Sequence, residues 1–425
     1  MFALRNISAS VGKYSRGYKK TIDQLAKQNP GMLKNSLAFV RVDFNVPLSK
    51  TDGTITDDTR IKAAVPTISF LTEQGAKVVL ASHCGRPKGQ FNDKMTMKPM
   101  AERLGKLLST NVMTAPDCVG DAVSSSIAKM NGGDILMLEN TRFHKEEEKN
   151  DEVFSKKLSN GASIYVNDAF GTAHRAHAST AGVAQFCDHR VAGFLMEKEI
   201  RFLASAVDAP VKPFTAVIGG AKVSTKLPVL NSLLAKCENI LIGGAMMFTF
   251  LKAMGVATGS SLVEDEFVPM VEKLLVDAKA ANVNIIIPVD AVVATEMTAD
   301  AAASTIDCGV SSAGVPDGSM GLDIGPKTVS LFKDALMQSK TVIWNGPMGV
   351  FEVAQFAKGT NAVANILADV TSQGGITIIG GGDSVAAVNK AGLSDKMTHI
   401  STGGGASLEM LEGKPMPGVS ILDNA

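Results

Sequence analysis

The chain has 425 residues, 45% hydrophobic, 20% charged and only 5% aromatic, with 40 glycines; this length suits two domains, and this texture favours an α/β protein with many tight strand-to-helix turns and excludes a disordered chain. Basic and acidic residues balance at 42 each, which excludes a global field for nucleic acid or a membrane surface and confines any polyanion site to a local cluster. No apolar run reaches the roughly 18 residues that span a bilayer, and Cys84, Cys118, Cys187, Cys237 and Cys308 form no C-x-x-C pair, so they read as buried free thiols.

The first 22 residues stand apart. They hold Arg5, Lys13, Arg16, Lys19 and Lys20, are rich in serine, and contain no acid before Asp23. With no apolar core of signal-peptide length, this stretch reads as an organellar transit peptide rather than a secretory signal. The body that follows is mildly acidic by contrast.

From about residue 37 to 191 the pattern is strand, loop, helix, repeated. Apolar runs fall at 37–42, 77–81, 134–138 and 163–166, with spacers long enough for helical crossovers, so a parallel sheet is expected. In such sheets ligands sit at the carboxyl ends of strands. After the first run come Asp43 and Asn45; after the second, His83 and Arg86; after the third, Arg142; after the fourth, His174, Arg175 and His177. Arg60 falls where a helix should begin, with Asp58 or Thr59 as its cap. Burying several cations together is costly unless an anion is expected, so these strand ends describe a bowl for a small, multiply charged molecule bearing hydroxyls. A His174-x-x-His177 metal pair lacks a third ligand, and Arg175 between the two would repel a cation. The run from Lys145 to Lys149 reads as a solvated helix start.

Between 196 and 213 a charged amphipathic stretch and a proline-bearing turn mark an interdomain helix and hinge. Beyond it the rhythm resumes with glycine at the strand ends: Gly219-Gly220-Ala221-Lys222 leading to Lys226, Gly243-Gly244, Asn345-Gly346, Gly380-Gly381-Gly382-Asp383-Ser384 and Gly403-Gly404-Gly405. Glycines before helix starts let backbone N–H groups approach phosphate oxygens, and each helix N-terminus adds partial positive charge. With Lys222, Lys226 and Asp383 among them, these loops suit a nucleoside diphosphate or triphosphate with magnesium. Neither G-x-x-x-x-G-K-[ST] nor G-x-G-x-x-G occurs, so a P-loop enzyme or a standard dinucleotide fold is unsupported.

Taken together, Arg41-Val-Asp-Phe-Asn-Val-Pro47, Ser82-His-Cys-Gly-Arg-Pro87, Asn167-Asp-Ala-Phe-Gly-Thr-Ala-His-Arg-Ala-His177, Gly219-Gly-Ala-Lys-Val-Ser-Thr-Lys226, Trp344-Asn-Gly-Pro-Met-Gly-Val-Phe-Glu352 and Gly380-Gly-Gly-Asp-Ser384 resemble the phosphoglycerate kinase family from about residue 36 onward. Departures are small: Cys84 stands where the family often has leucine, Thr141 where it often has valine, and the N-terminal extension is additional. The resemblance implies two doubly wound parallel-sheet domains with the active site in a cleft between them. The first would span 23–195 and be completed by about 406–425; a hinge at 196–213 would join it to the second, 214–405.

It further implies reversible, magnesium-dependent phosphoryl transfer from 1,3-bisphosphoglycerate to ADP, with hinge closure bringing the reactants together. On that implication Asp43 and Asn45 hold the glycerate hydroxyl. His83, Arg86, Arg142 and Arg175 bind the non-transferred phosphate, with His174 in the same patch. Arg60, Lys222, Gly382 and Gly405 serve the phosphoryl group in transfer. Gly220, Lys226, Gly244, Asn345, Gly346, Glu352, Gly381, Asp383 and Ser384 serve the nucleotide, Asp383 through the metal. A monomer is implied. Two other readings stay open: a non-catalytic nucleotide-binding module, and a sugar-phosphate dehydrogenase lacking its fingerprint. The presequence favours the mitochondrion, with plastid and cytosol as alternatives.

Overall fold

In the computed structural model, residues 19–49 and 51–425 are described, so the segment expected at 1–22 lies outside them up to residue 18. The chain forms two compact units, one extending to Arg201 and taking in Pro415–Ala425, the other formed by Phe202–Lys414. The division falls inside one helix, Phe194–Asp208.

The first unit carries strands β1 (Leu37–Val42), β2 (Lys77–Ala81), β3 (Val112–Thr114), β4 (Ile135–Met137), β5 (Ile164–Asp168) and β6 (His189–Ala192) in the order β3-β4-β2-β1-β5-β6, every pairing parallel. The four apolar runs become β1, β2, β4 and β5. The two strands not expected, β3 and β6, are the sheet's edges: β3 has only three residues and no buried one, and β6 opens on a histidine and an arginine. Strands that short at half-covered edges carry neither an apolar run nor a clean alternation. The central strand β1 is buried along nearly its whole length and pairs with β2 on one side and β5 on the other, so the winding reverses there. That reversal is the crevice in which open α/β sheets hold ligands.

The second unit repeats the plan with β7 (Phe214–Ile218), β8 (Asn239–Ile242), β9 (Asn284–Ile286), β13 (Thr341–Asn345), β14 (Ile376–Gly380) and β15 (His399–Ile400), all parallel in the order β15-β14-β13-β7-β8-β9. Strands β7 and β13 are buried at every position, as befits a sheet with both faces covered by helices. Between β9 and β13 lies an element with no counterpart in the sequence reading, a three-stranded antiparallel sheet of β10 (Asp290–Ala294), β11 (Ser304–Asp307) and β12 (Met320–Ile324).

The C-terminal segment and the first described residues are fastened to the first unit. Gly418 exchanges hydrogen bonds with the Asn167 side chain and the Ala173 carbonyl, both at 2.8 Å, and Arg190 pairs with Asp423 at 2.9 Å. Lys20 N–H donates to the Asp423 carbonyl at 2.8 Å, and Ile22 is fully buried. All five cysteines are free and buried, and no helix among the described residues is long and apolar enough to cross a membrane.

Candidate functional site

At the carboxyl edge of the first sheet, around the reversal at β1, lies a cavity of about 200 Å³ lined by Asp43, Asn45, Arg60, His83, Gly85, Arg86, Arg142, Gly171, Thr172 and Arg175. Each group is placed by local structure. Arg60 enters from the second residue of the helix Thr59–Glu73. Asp58 occupies the cap position, but its carboxylate binds Arg103 at 2.5 Å and Lys62 at 2.9 Å, and it is Asp57 that accepts the Thr59 N–H, at 2.8 Å. Arg60 Nη1 lies 3.2 Å from Asp43 and donates to the Asn45 carbonyl at 3.0 Å, while Asn45 Oδ1 accepts from Gly85 N–H at 2.9 Å. Arg142 follows β4 in a short turn capped by Asn140, whose amide also ties down the Cys84 and Met95 carbonyls at 2.7 and 2.8 Å. Arg142 is nearly buried, and burial draws its guanidinium below the usual range.

The histidines differ from expectation. His177 is buried and lies outside the cavity lining; burial and the neighbouring arginines push its imidazole down to about 4, so at neutral pH it adds no cation. His83 is held neutral for the same reasons, burial first and then Arg41, Arg142, Arg60 and Arg175. His174 is not in the lining; its Nε2 accepts from Arg175 Nε at 3.0 Å. Among the described residues lining the cavity, the positive charge therefore comes from Arg60, Arg86, Arg142 and Arg175. The residues read as a solvated charge run contain a buried acid, since Glu147 is fully enclosed and accepts from both Ser179 N–H, at 2.9 Å, and Ser179 Oγ, at 2.5 Å.

The second unit has a cavity of about 220 Å³ whose walls include Gly220, Gly244, Pro347, Glu352 and Asp383, with Met247, Phe248, Leu322 and Phe351 forming an apolar side. It sits where β7 and β13 adjoin, at that sheet's reversal. Glycine is mandatory here because backbones touch. A Cβ on Gly346, whose φ is +94°, would lie 2.2 Å from the Gly219 carbonyl oxygen, and one on Gly244, at φ +67°, would lie 2.4 Å from Gly220 N. Ser384 Oγ accepts from Gly346 N–H at 2.6 Å, and Lys226 Nζ donates to Asn345 Oδ1 at 2.6 Å. Burial lowers the Lys226 ammonium, with Asp383 and Glu412 opposing.

Gly382 and Gly404 begin two helices, Gly382–Lys390 and Gly404–Leu411, and a Cβ on Gly404 would come within 3.5 Å of Gly382 N. Two helix N-termini therefore lie close together, and amides in that position favour an anion. Beside them Asn345 Nδ2 is buried without a hydrogen-bond partner. An orphaned donor at that depth costs roughly 1–3 kcal/mol, which fits a site built to receive an acceptor.

The family model described as phosphoglycerate kinase matches residues 29–414. The chain belongs to the phosphoglycerate kinase family. It is 54% identical to the chloroplastic phosphoglycerate kinase of Volvox carteri over 95% of this chain and 86% of that one, and 56% identical to the cytosolic phosphoglycerate kinase of Triticum aestivum over 92% and 96%. Among solved structures it is similar to phosphoglycerate kinase from Coxiella burnetii, with a TM-score of 0.82 and 39% identity over 93% of this chain and 97% of that one. Family membership makes the chain a kinase.

Within this family frame, Asp43, Asn45, Arg60, His83, Arg86, Arg142 and Arg175 gather on one cavity, and His174 is outside its lining but bonded to Arg175. Gly220, Gly244, Glu352 and Asp383 line the other. Lys226, Asn345, Gly346 and Ser384 support it through the bonds given above, and Gly381, at φ +87°, packs on Asn345. Lys222 is exposed, and its loop is fixed by Glu264, whose carboxylate accepts from Ser224 N–H at 2.9 Å and Ser224 Oγ at 2.6 Å. Glu264 and the apolar side escaped the sequence reading because neither lies in a glycine loop; an acid among turn residues gives no signal until its partner forty positions away is placed.

Proposed function

We propose that the arginine-lined cavity binds 3-phosphoglycerate or 1,3-bisphosphoglycerate and the glycine-lined cavity binds ADP or ATP. The chemistry is the family's reversible transfer of a phosphoryl group from 1,3-bisphosphoglycerate to ADP. The observation that carries this assignment is the contrast between the two sheet edges: arginines meet hydroxyl-binding Asp43 and Asn45 at one, and packed glycine amides meet an apolar wall at the other.

Asp43 and Asn45 hold the glycerate hydroxyl, and Arg86, Arg142, Arg175 and His83 hold the phosphate that stays. The apolar side takes the base, Glu352 the ribose, and Gly220, Gly244 and Gly346 let backbone come close to the phosphates. Phosphoryl transfer demands positioning and charge stabilisation more than a covalent nucleophile. Arg60, Lys222 and the amides at Gly382 and Gly405 supply that stabilisation. The attacking group in the ATP-forming direction is an already ionised phosphate, so no strong general base is needed.

Asp383 lies in the first turn of its helix on the cavity wall, a hard oxygen donor of the kind that binds magnesium alongside nucleotide phosphates. When bound there, magnesium neutralises phosphate charge. Transfer needs the reacting atoms within about 3.5 Å, so closure about the hinge at 196–213 would bring the two substrates together. A monomer is proposed on the family resemblance alone, and the basic segment 1–22 is assigned an organellar address, the mitochondrion first; imaging a reporter fused to residues 1–35 tests the address.

ATP consumption dependent on 3-phosphoglycerate, followed in a coupled assay with magnesium, tests the reaction. Activity that requires both substrates supports it, and nucleotide binding without turnover returns the chain to a non-catalytic module.

A further inference from the structure

Glu147 and Arg41 are buried ions at the first sheet edge, yet neither lines the cavity: Glu147 is fully enclosed and Arg41 is 1% exposed. Removing either alone would strand a charge in the interior. They meet through Ser179. Arg41 Nε donates to Ser179 Oγ at 2.7 Å, and Ser179 Oγ donates to Glu147 Oε1 at 2.5 Å. Arg41 Nη1 donates to the Val42 carbonyl, and Nη2 approaches His83 Nδ1 at 3.2 Å. Ser179 itself is fixed in a single π-helical turn, Ala178–Gly182, whose Ser179 and Thr180 carbonyls both accept from the buried Tyr165 hydroxyl, at 3.1 and 2.9 Å. The turn is thereby locked from below, as single-turn π segments near functional sites often are.

Chemistry fixes the direction of every proton in this chain. A guanidinium only donates and a carboxylate only accepts, so the serine hydroxyl must accept from Arg41 and donate to Glu147. By the same rule His83 Nδ1 must accept from Arg41, and the ring proton must sit on Nε2. Asp43, the other polar neighbour of Nδ1, is 3.9 Å away, beyond hydrogen-bonding distance. His83 is a lining residue of the cavity, and with Nδ1 engaged its remaining polar atom is Nε2.

We propose that Glu147 is a positioning residue: through Ser179 and Arg41 it holds His83 in its neutral Nε2–H tautomer, so that the cavity offers the substrate's anionic group a hydrogen-bond donor without adding another cation to the cluster. This rests on the assignment of the arginine-lined cavity to the phosphoglycerate substrates. Without Glu147 the guanidinium loses its anchor, the hydroxyl is free to rotate, and His83 Nδ1 is released.

The test uses the full chain labelled with 15N, with the His83 imidazole signals assigned by their loss in His83→Asn. Long-range 1H–15N spectra of the wild type should show the proton on Nε2, and Glu147→Gln should show a mixture of tautomers. Kinetics should show Glu147→Gln raising KM for 3-phosphoglycerate about tenfold, the worth of one charge-assisted hydrogen bond, with KM for ATP within about twofold and kcat changed far less. Ser179→Ala, which removes one hydroxyl, should reproduce both effects and serves if Glu147→Gln does not fold. An Nδ1–H tautomer in the wild type overturns the inference, as does a folded variant with unchanged tautomer and unchanged KM for 3-phosphoglycerate, or one that loses only kcat. A wild type indifferent to 3-phosphoglycerate would overturn the site assignment instead, and the spectra would still decide the tautomer.

Discussion

In the first unit the groups facing the cavity are side chains, with Arg60, Arg86, Arg142 and Arg175 set around Asp43 and Asn45, whereas in the second they are mainly main-chain amides at glycines too crowded to carry a Cβ. Both sit where a parallel sheet reverses its winding. On the proposed assignment, the difference follows from the ligands. A small triose acid has few atoms, so each must be held by a long side chain reaching inward. A nucleotide brings its own extended phosphate chain, and amides at helix starts can run alongside it. Side chains add to these amides an apolar wall, from Met247, Phe248, Leu322 and Phe351, and charge, at Lys222, Lys226 and Asp383.

The comparison breaks most sharply at Lys222, which is exposed on a loop that Glu264 holds through Ser224. Lys222→Ala is expected to cut turnover by roughly 10²-fold or more with nucleotide affinity much less changed, the signature of a contact made in the transition state. Steady-state kinetics checks this, and normal turnover would remove Lys222 from the chemistry. Arg60→Ala, at the other edge, should match it in turnover while also loosening Asp43 and Asn45.

Next in size is Gly346→Ala. Its Cβ would press on the Gly219 carbonyl at 2.2 Å, so nucleotide affinity measured by calorimetry should fall about tenfold or more while 3-phosphoglycerate affinity holds. Equal losses for both ligands would mean that the two edges are not separable.

The two units also share a feature. Burial raises Asp168 in the first and Asp323 in the second to about 7. An acid whose folded pKa lies above its unfolded value keeps a proton that the unfolded chain gives up, so this contribution to stability is present at low pH and is lost as pH rises from about 4 through 7. Asp168 Oδ1 accepts from Leu195 and Met196 N–H groups at 2.9 and 3.1 Å, bonds an asparagine oxygen can keep. Asp168→Asn should therefore gain on the wild type by about 1 kcal/mol or more between pH 5 and 8 in denaturant melts, and a pH-independent difference would contradict it.

The smallest effect expected is that of salt. Raising ionic strength should weaken 3-phosphoglycerate binding a few-fold more than it weakens binding of magnesium-free adenosine, which has no phosphate to screen. Titrations at two salt concentrations would read this.

Much of this arrangement is visible in the chain itself. Arginines recurring one after another behind apolar runs placed the first cavity, and glycines in the same position placed the second, because in a parallel sheet the residue after a strand is the residue at the site. What was hidden depends on partners distant in sequence. Glu147 looks like its two acidic neighbours until Ser179 is folded against it. His177 looks like a cation until burial among arginines removes its charge. The edge strands β3 and β6 and the outer strand β11 are short or half-covered, and half-covered strands lack the apolar continuity that announced the others.

Hydrogen exchange on the full chain, measured by mass spectrometry with one ligand at a time, tests the division of roles most directly. 3-Phosphoglycerate should slow exchange in peptides covering 43–45, 83–86, 140–144 and 171–177, and magnesium ADP in those covering 219–226, 345–352 and 380–384. If either ligand protects the other's segments while leaving its own unchanged, the assignment of side chains to the triose acid and amides to the nucleotide is wrong.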